Sequence, residues 1–245
     1  VKGLLNIQFA IKDEELFILE ANPRASRTMP FVAKVTGNQI IKAGTLLMLG
    51  YSIDEVRNKT KYLSSSSNKV AIKKAIFPWS RFPAEDTMLG PEMKATGEVL
   101  GVGKEFGTAL NKAYAAAGVE INNKEKGIFV TLSDSEKPNF IKTVNKYLEL
   151  GFTLYSTEGT GKFLKTNGID SVIVGKADDL GQTSLTIIED KLVSLVINTP
   201  TYANELSDGW KIRRLSHETG VAVVSSVREA DAFIEAFLNQ NLVLD

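Results

Sequence analysis

The sequence predicts an α/β protein in two parts: a partial α+β segment over residues 1–119, then a doubly wound parallel sheet over residues 120–245. Three observations carry this prediction. An alternating apolar pattern near the start marks a strand pair followed by helical spacing. A polar, charged run from Glu120 to Lys126 follows Gly118 and marks a boundary near Val119. Beyond it, continuous apolar strands alternate with amphipathic helices, the pattern of a sheet covered on both faces.

Taken in order, Leu4 to Lys12 alternates as a strand, Asp13-Glu14-Glu15 forms a polar turn, and Leu16 to Glu20 opens a second strand, giving an antiparallel hairpin. Pro30 to Gly50 carries apolar residues at helical spacing broken by Gly37 and Gly44, which predicts two helices, the second over about Gln39 to Leu49. Tyr51 to Val56 opens a third helix with Ser52 or Asp54 as its cap. These helices are expected to cover one face of the sheet. Ser64-Ser65-Ser66-Ser67-Asn68 predicts an exposed loop. Val70 to Pro78 reads as a strand, Trp79 to Gly103 is rich in Pro and Gly, and Lys104 to Ala117 has the apolar spacing of a helix stopped by Gly118.

In the second part, Gly127 to Leu132 suits a buried parallel strand, and Ser133 to Pro138 opens a helix with Phe140, Val144, Tyr147 and Leu148 on its apolar face. Phe152 to Ser156, Ser171 to Val174, Leu192 to Asn198 and Val221 to Ser225 are the further strands. Helices are expected over Thr160 to Asn167, within Ala203 to Leu215, and over Val227 to Gln240.

Composition narrows function. With 43% hydrophobic residues, 245 residues can bury a sizeable core. A formal net charge of +0 argues against non-specific nucleic-acid binding, and zero cysteines rule out disulfides and thiolate metal sites. The sequence has neither a membrane-spanning apolar run nor a charged-then-apolar leader, so a cytoplasmic location is the expectation. Val1 leading straight into a strand suggests a fragment.

Two constellations carry chemistry. If the hairpin pairs around its polar turn, Gln8, Glu20 and Asn22 share a face, and three hard oxygen donors suit Mg²⁺. Arg24 and Arg27 add planar forks for phosphate oxygens. In the parallel sheet, ligands sit beyond the carboxyl ends of strands. There the sequence places Thr131 and Lys137, then Thr157-Glu158-Gly159-Thr160, then Lys176, then Asn198-Thr199. Hydroxyls, a glycine that admits backbone N–H groups and two lysines describe a phosphate cradle.

The string Glu20-Ala21-Asn22-Pro23-Arg24-Ala25-Ser26-Arg27-Thr28, with Pro30-Phe31-Val32, resembles the end of an ATP-grasp domain, and most closely that of the carbamoyl phosphate synthetase large subunit. Leu89-Gly90-Pro91-Glu92-Met93-Lys94-Ala95-Thr96-Gly97-Glu98-Val99 resembles the segment that closes the same domain. The second part resembles the methylglyoxal synthase-like allosteric domain of these subunits. The resemblance implies Gln8, Glu20 and Asn22 as ligands of Mg²⁺ or Mn²⁺ on substrate ATP, and Arg24 as a catalytic phosphate contact. It implies Lys137, Thr157, Thr160 and Lys176, with Thr131 at the strand end, around the phosphate of a nucleotide effector of UMP or IMP type. Asn198 and Thr199 then meet its ribose or base. Implied partners are the remainder of the large subunit and a glutaminase small subunit, with oligomeric state open. The implied pathways are pyrimidine and arginine biosynthesis.

Departures matter. Lys74 stands where ornithine-sensitive members carry a glutamate, which argues against ornithine activation. Pro200 replaces a Thr, which leaves the nucleotide's identity open. Glu158 occupies a place where many members have His, and His217 near the far end suits a surface or helix-end role. A methylglyoxal synthase-like lyase with Asp178 or Asp179 as base is a weaker alternative. A stand-alone nucleotide-binding regulatory module is another.

Overall fold

The computed structural model describes residues 1–61, 68–82, 85–88, 93, 95–119, 121, 127–200 and 207–239. The serine run 64–67, most of the string 89–94, the polar run at 120 and 122–126, the segment 201–206 and Gln240 lie outside the described residues. Two compact units divide between Lys69 and Val70.

The first unit opens with the expected hairpin, β1 (Asn6–Lys12) and β2 (Glu15–Asn22), antiparallel. Asp13 and Glu14 both have positive φ, the geometry of a two-residue turn whose twist matches that of the strands it joins. Helices α1 (Thr28–Thr36), α2 (Ile40–Met48) and α3 (Ile53–Lys59) follow. Of the two candidate caps for α3, Ser52 takes the role: its hydroxyl accepts from Glu55 N–H while the Glu55 carboxylate accepts from Ser52 N–H. One expectation is corrected. These helices pack chiefly in sequence on one another, and the ribbon leaves Ile11, Ile18 and Leu19 in solvent. A two-stranded ribbon is too narrow to seat three helices, and of the helices' residues only Gly44 and Val56 are buried.

In the second unit, β3 (Val70–Ile76) pairs antiparallel with β4 (Gly97–Gly103), and α4 (Phe106–Ala116) lies against both. Strand β4 is not apparent from the sequence pattern. Its glycines obscure the strand pattern, and tertiary packing explains them. A Cβ on Gly101 would stand 2.0 Å from the Ala109 carbonyl oxygen, so glycine lets α4 rest on the strand.

The parallel sheet has β5 (Gly127–Thr131), β6 (Leu154–Thr157), β7 (Val172–Val174), β8 (Val193–Asn198) and β9 (Ala222–Val224), in the order β7-β6-β5-β8-β9. The connecting helices are α5 (Lys137–Glu149), α6 (Glu158–Thr166), α7 (Thr186–Glu189), α8 (Asp208–Thr219) and α9 (Val227–Leu238). Alternate residues of β5 face opposite cores: Ile128 and Val130 pack with Phe140, Leu164 and Phe233, whereas Phe129 packs with Ile187, Ile188 and Ile212. Both faces are covered, as a doubly wound sheet requires.

The compact units divide earlier than the expected boundary near Val119 because α4 is stapled to α9. Asn111 Nδ2 donates to the carbonyls of Ala236 at 2.7 Å and Asn239 at 2.9 Å, and Tyr114 meets Phe233 edge to face. No described helix is long and apolar enough to cross a membrane.

Candidate functional site

In the first unit, strand register decides the geometry. Gln8 lies directly opposite Glu20, and Asn22, two residues further along β2, shares Glu20's face. Asn22 Nδ2 donates to Glu20 Oε1 at 2.8 Å, which turns the carboxamide oxygen outward. Arg24 follows a tight turn, in which its N–H donates to Asn22 carbonyl at 2.8 Å, and its guanidinium reaches no further than Ala25 carbonyl. One carboxylate and two carboxamide oxygens on an exposed face suit a hard divalent cation that keeps waters and phosphate oxygens in its shell. Gln8, Glu20 and Asn22 are the residues that could hold such an ion. Among the described residues, no three His, Cys, Asp or Glu side chains cluster as a metal site.

The second unit places its candidate residues at the carboxyl edge of the parallel sheet. The chain reverses its winding between β5 and β8, so the switch point lies between Thr131 and Asn198, which are register partners. Thr157 and Val174 are partners on the other side. Two adjoining cavities open along this edge and share Thr131, Asp208 and Gly209. The larger, about 690 Å³, also has Thr157, Gly159, Lys176, Asp179 and Ser184 in its wall. The smaller, about 250 Å³, has Ser133, Asn198, Thr199 and Arg213.

The larger cavity combines anion-suited groups with the carboxylates of Glu158, Asp179 and Asp208. Thr157 precedes α6 but caps no N–H of it, so the first amides of α6 are free to bind, and Gly159 adds no side chain there. Ser184 is 1% exposed, yet its hydroxyl has no partner among the described residues. A buried hydroxyl without a partner is unusual, and this one lies just behind the cavity wall. Glu158 and Lys162, both also in the cavity wall, pair at 2.6 Å, and that hydrogen bond and charge hold the Glu158 carboxyl below the usual range. Asp179 accepts from Lys176 N–H at 2.7 Å, and Asp178 is paired with Lys211.

Not every candidate residue reaches the cavities. Thr160 is 2% exposed, and its hydroxyl accepts from Leu132 N–H at 3.1 Å, tying α6 to the end of β5. Lys137 lines neither cavity and donates to Asp134 at 2.5 Å. Thr199 borders the smaller cavity, but its hydroxyl accepts from Ser133 N–H at 2.7 Å. Ser184, Asp208 and Gly209 went unread in the sequence, because a loop serine and a helix start acquire meaning only when the fold brings them to the strand ends. Arg213 was likewise hidden, a charged residue beside Ile212 that the fold buries to 5% exposure. His217 sits in the last turn of α8 with its ring 5.9 Å from Trp79, partly in solvent. Partial desolvation of the ring where it lies against Trp79, with Lys74 and Arg214 nearby, pushes its pKa down to about 4.

Fold and site therefore define a doubly wound α/β domain with a cleft at its switch point, together with a hairpin whose exposed face carries oxygen donors suited to a hard cation. Comparison with known proteins gives the same division. Residues 139–225 match the MGS-like domain, and residues 1–56 match the carbamoyl-phosphate synthase L chain ATP binding domain. The chain is 38% identical to the carbamoyl phosphate synthase large chain, C-terminal section, of Aquifex aeolicus, over 96% of this chain and 46% of that one. It is also 38% identical to the corresponding section from Methanocaldococcus jannaschii, covering 39% of that protein. Identity to the carbamoyl phosphate synthase large chain of Brucella suis is 41%, covering 21% of it. The chain thus spans less than half the length of these relatives, and the resemblance covers nearly its whole extent.

Proposed function

We propose that this chain is the C-terminal portion of the large subunit of a glutamine-dependent carbamoyl phosphate synthetase, joining the metal-binding end of its carbamate-phosphorylating unit to a nucleotide-effector domain. The observation that carries this reading is the presence of both matched domains, in that order, in one chain similar to those large chains over 96% of its length. Gln8, Glu20 and Asn22 then hold Mg²⁺ or Mn²⁺ on ATP, while Arg24 meets the phosphates. Positioning and charge neutralisation supply the rate of phosphoryl transfer. The exposed apolar residues of the ribbon fit a partial domain completed by the remainder of the large subunit, with a glutaminase small subunit delivering nitrogen.

In the effector domain, Thr131, Thr157, Lys176 and the amides at Gly159 hold the phosphate of a nucleoside monophosphate, and Asn198 meets its ribose or base. The effector acts by binding active and less active forms unequally. The family domain boundary near Val119 belongs to this reading, as does a cytoplasmic location. Calorimetric titration of the chain with UMP and IMP tests it, with Lys176→Ala alongside. Saturable binding that weakens about tenfold on loss of the ammonium is the expected result, the scale of one charge-assisted contact. A folded chain that binds neither nucleotide refutes the effector assignment.

A further inference from the structure

Helix α8 touches two places at once. Its first residues, Asp208 and Gly209, line both cavities at the switch point. One turn later, Arg213 Nη1 donates to Asn198 Oδ1 at 2.6 Å, inside the smaller cavity. The same guanidinium grips Asp86 through Nε, at 3.0 Å from Oδ1, and through Nη2. Arg214 donates to the carbonyls of Phe82 at 2.7 Å and Trp79 at 3.0 Å. Two neighbouring arginines, each under a tenth exposed, thus clamp the segment between β3 and β4 to the helix that borders the cleft. Asp86 Oδ1 also accepts from Met88 N–H at 3.1 Å, so one carboxylate oxygen serves both the arginine and the backbone of that segment.

Resting on the nucleotide reading above, we propose that Arg213 is the positioning residue that couples occupancy of the switch-point cleft to residues 79–82 and 85–88. A buried guanidinium must keep its charge partnered, and here its partners are divided between the cleft and the segment. A ligand that competes for Asn198, or offers its own anionic oxygens to Arg213, weakens the hold on Asp86. Release of Asp86 in turn frees the guanidinium for the ligand. Because coupling free energies are reciprocal, altering Asp86, which lines neither cavity, changes nucleotide affinity.

The test is calorimetry of UMP and IMP binding to the wild-type chain, Asp86→Asn, Arg213→Met and the double variant. Asp86→Asn is expected to tighten the nucleotide Kd fivefold or more, and this gain is expected to shrink below twofold in the Arg213→Met background. A general loss of negative charge would act in both backgrounds, and Asp231→Asn, remote from α8 and paired with Lys146, controls for it. Hydrogen exchange supplies a second reading on wild-type protein: saturating nucleotide should change exchange at the Met88 amide at least threefold. A Kd for Asp86→Asn within twofold of wild type overturns the proposal, and if that variant does not fold, unchanged Met88 exchange does so. Failure of the wild-type chain to bind either nucleotide overturns the effector reading, and this inference with it.

Discussion

Replacing Thr160 with Val keeps the side chain's shape and removes one hydroxyl. That hydroxyl accepts from Leu132 N–H at 3.1 Å and meets Thr157 Oγ1 at 3.3 Å. Thr157 can turn to Thr131 Oγ1 at 3.5 Å or to solvent, at little cost. Leu132 N–H has no such exit, since Leu132 and Thr160 are both under a tenth exposed. A buried donor left unpaired costs about 1–3 kcal/mol, so a loss of about 2 kcal/mol is expected. Both tryptophans, Trp79 and Trp210, lie in the second unit, so urea unfolding followed by fluorescence reports on that unit alone. With a urea m-value of about 2 kcal/mol/M, the midpoint should fall by about 1 M. Thr160→Ser keeps the acceptor and should recover most of the loss. A Thr160→Val midpoint within about 0.2 M of wild type, on the same m-value, would refute the argument that this threonine works by tying α6 to β5.

Gly101→Val should destabilise the second unit by about 3 kcal/mol or more in the same unfolding assay, because its Cβ would meet the Ala109 carbonyl at 2.0 Å and the Ala113 amide nitrogen at 2.5 Å, both on the backbone of α4. His217 should titrate near pH 4 by NMR. An unfolded histidine takes up its proton near pH 6.5, so its contribution to stability is intact above that and falls as pH drops from about 6.5 towards 4. His217→Gln should flatten that part of the pH–stability curve, and an imidazole midpoint near 6.5 would contradict the desolvation argument. On the proposed function, Glu20→Gln in the complete large subunit should cut carbamoyl phosphate formation at least 100-fold while leaving nucleotide binding to the second unit unchanged, because it removes the lone carboxylate of the donor set.

The division of labour between sequence and tertiary structure is visible in single residues. Alternation in Leu4 to Glu20 was enough to predict the hairpin, because each strand's period of two is a local property. Continuous apolar runs separated by helical spacing predicted the parallel sheet for the same reason. Thr157, Gly159 and Lys176 were legible as cleft residues because carboxyl ends of parallel strands are where ligands sit, and strand ends can be counted along the chain. The sequence did not reveal β4, whose glycines make sense only once α4 lies on them. Nor did it reveal that Thr160 and Lys137 turn away from the cavities, that the Ser184 hydroxyl is buried without a partner beside one of them, or that Arg213 is shared between Asn198 and Asp86. Local periodicity writes secondary structure into the chain. Which polar groups find partners is decided only when segments more than a hundred residues apart, such as Asp86 and Arg213, are brought into contact and must satisfy one another away from water.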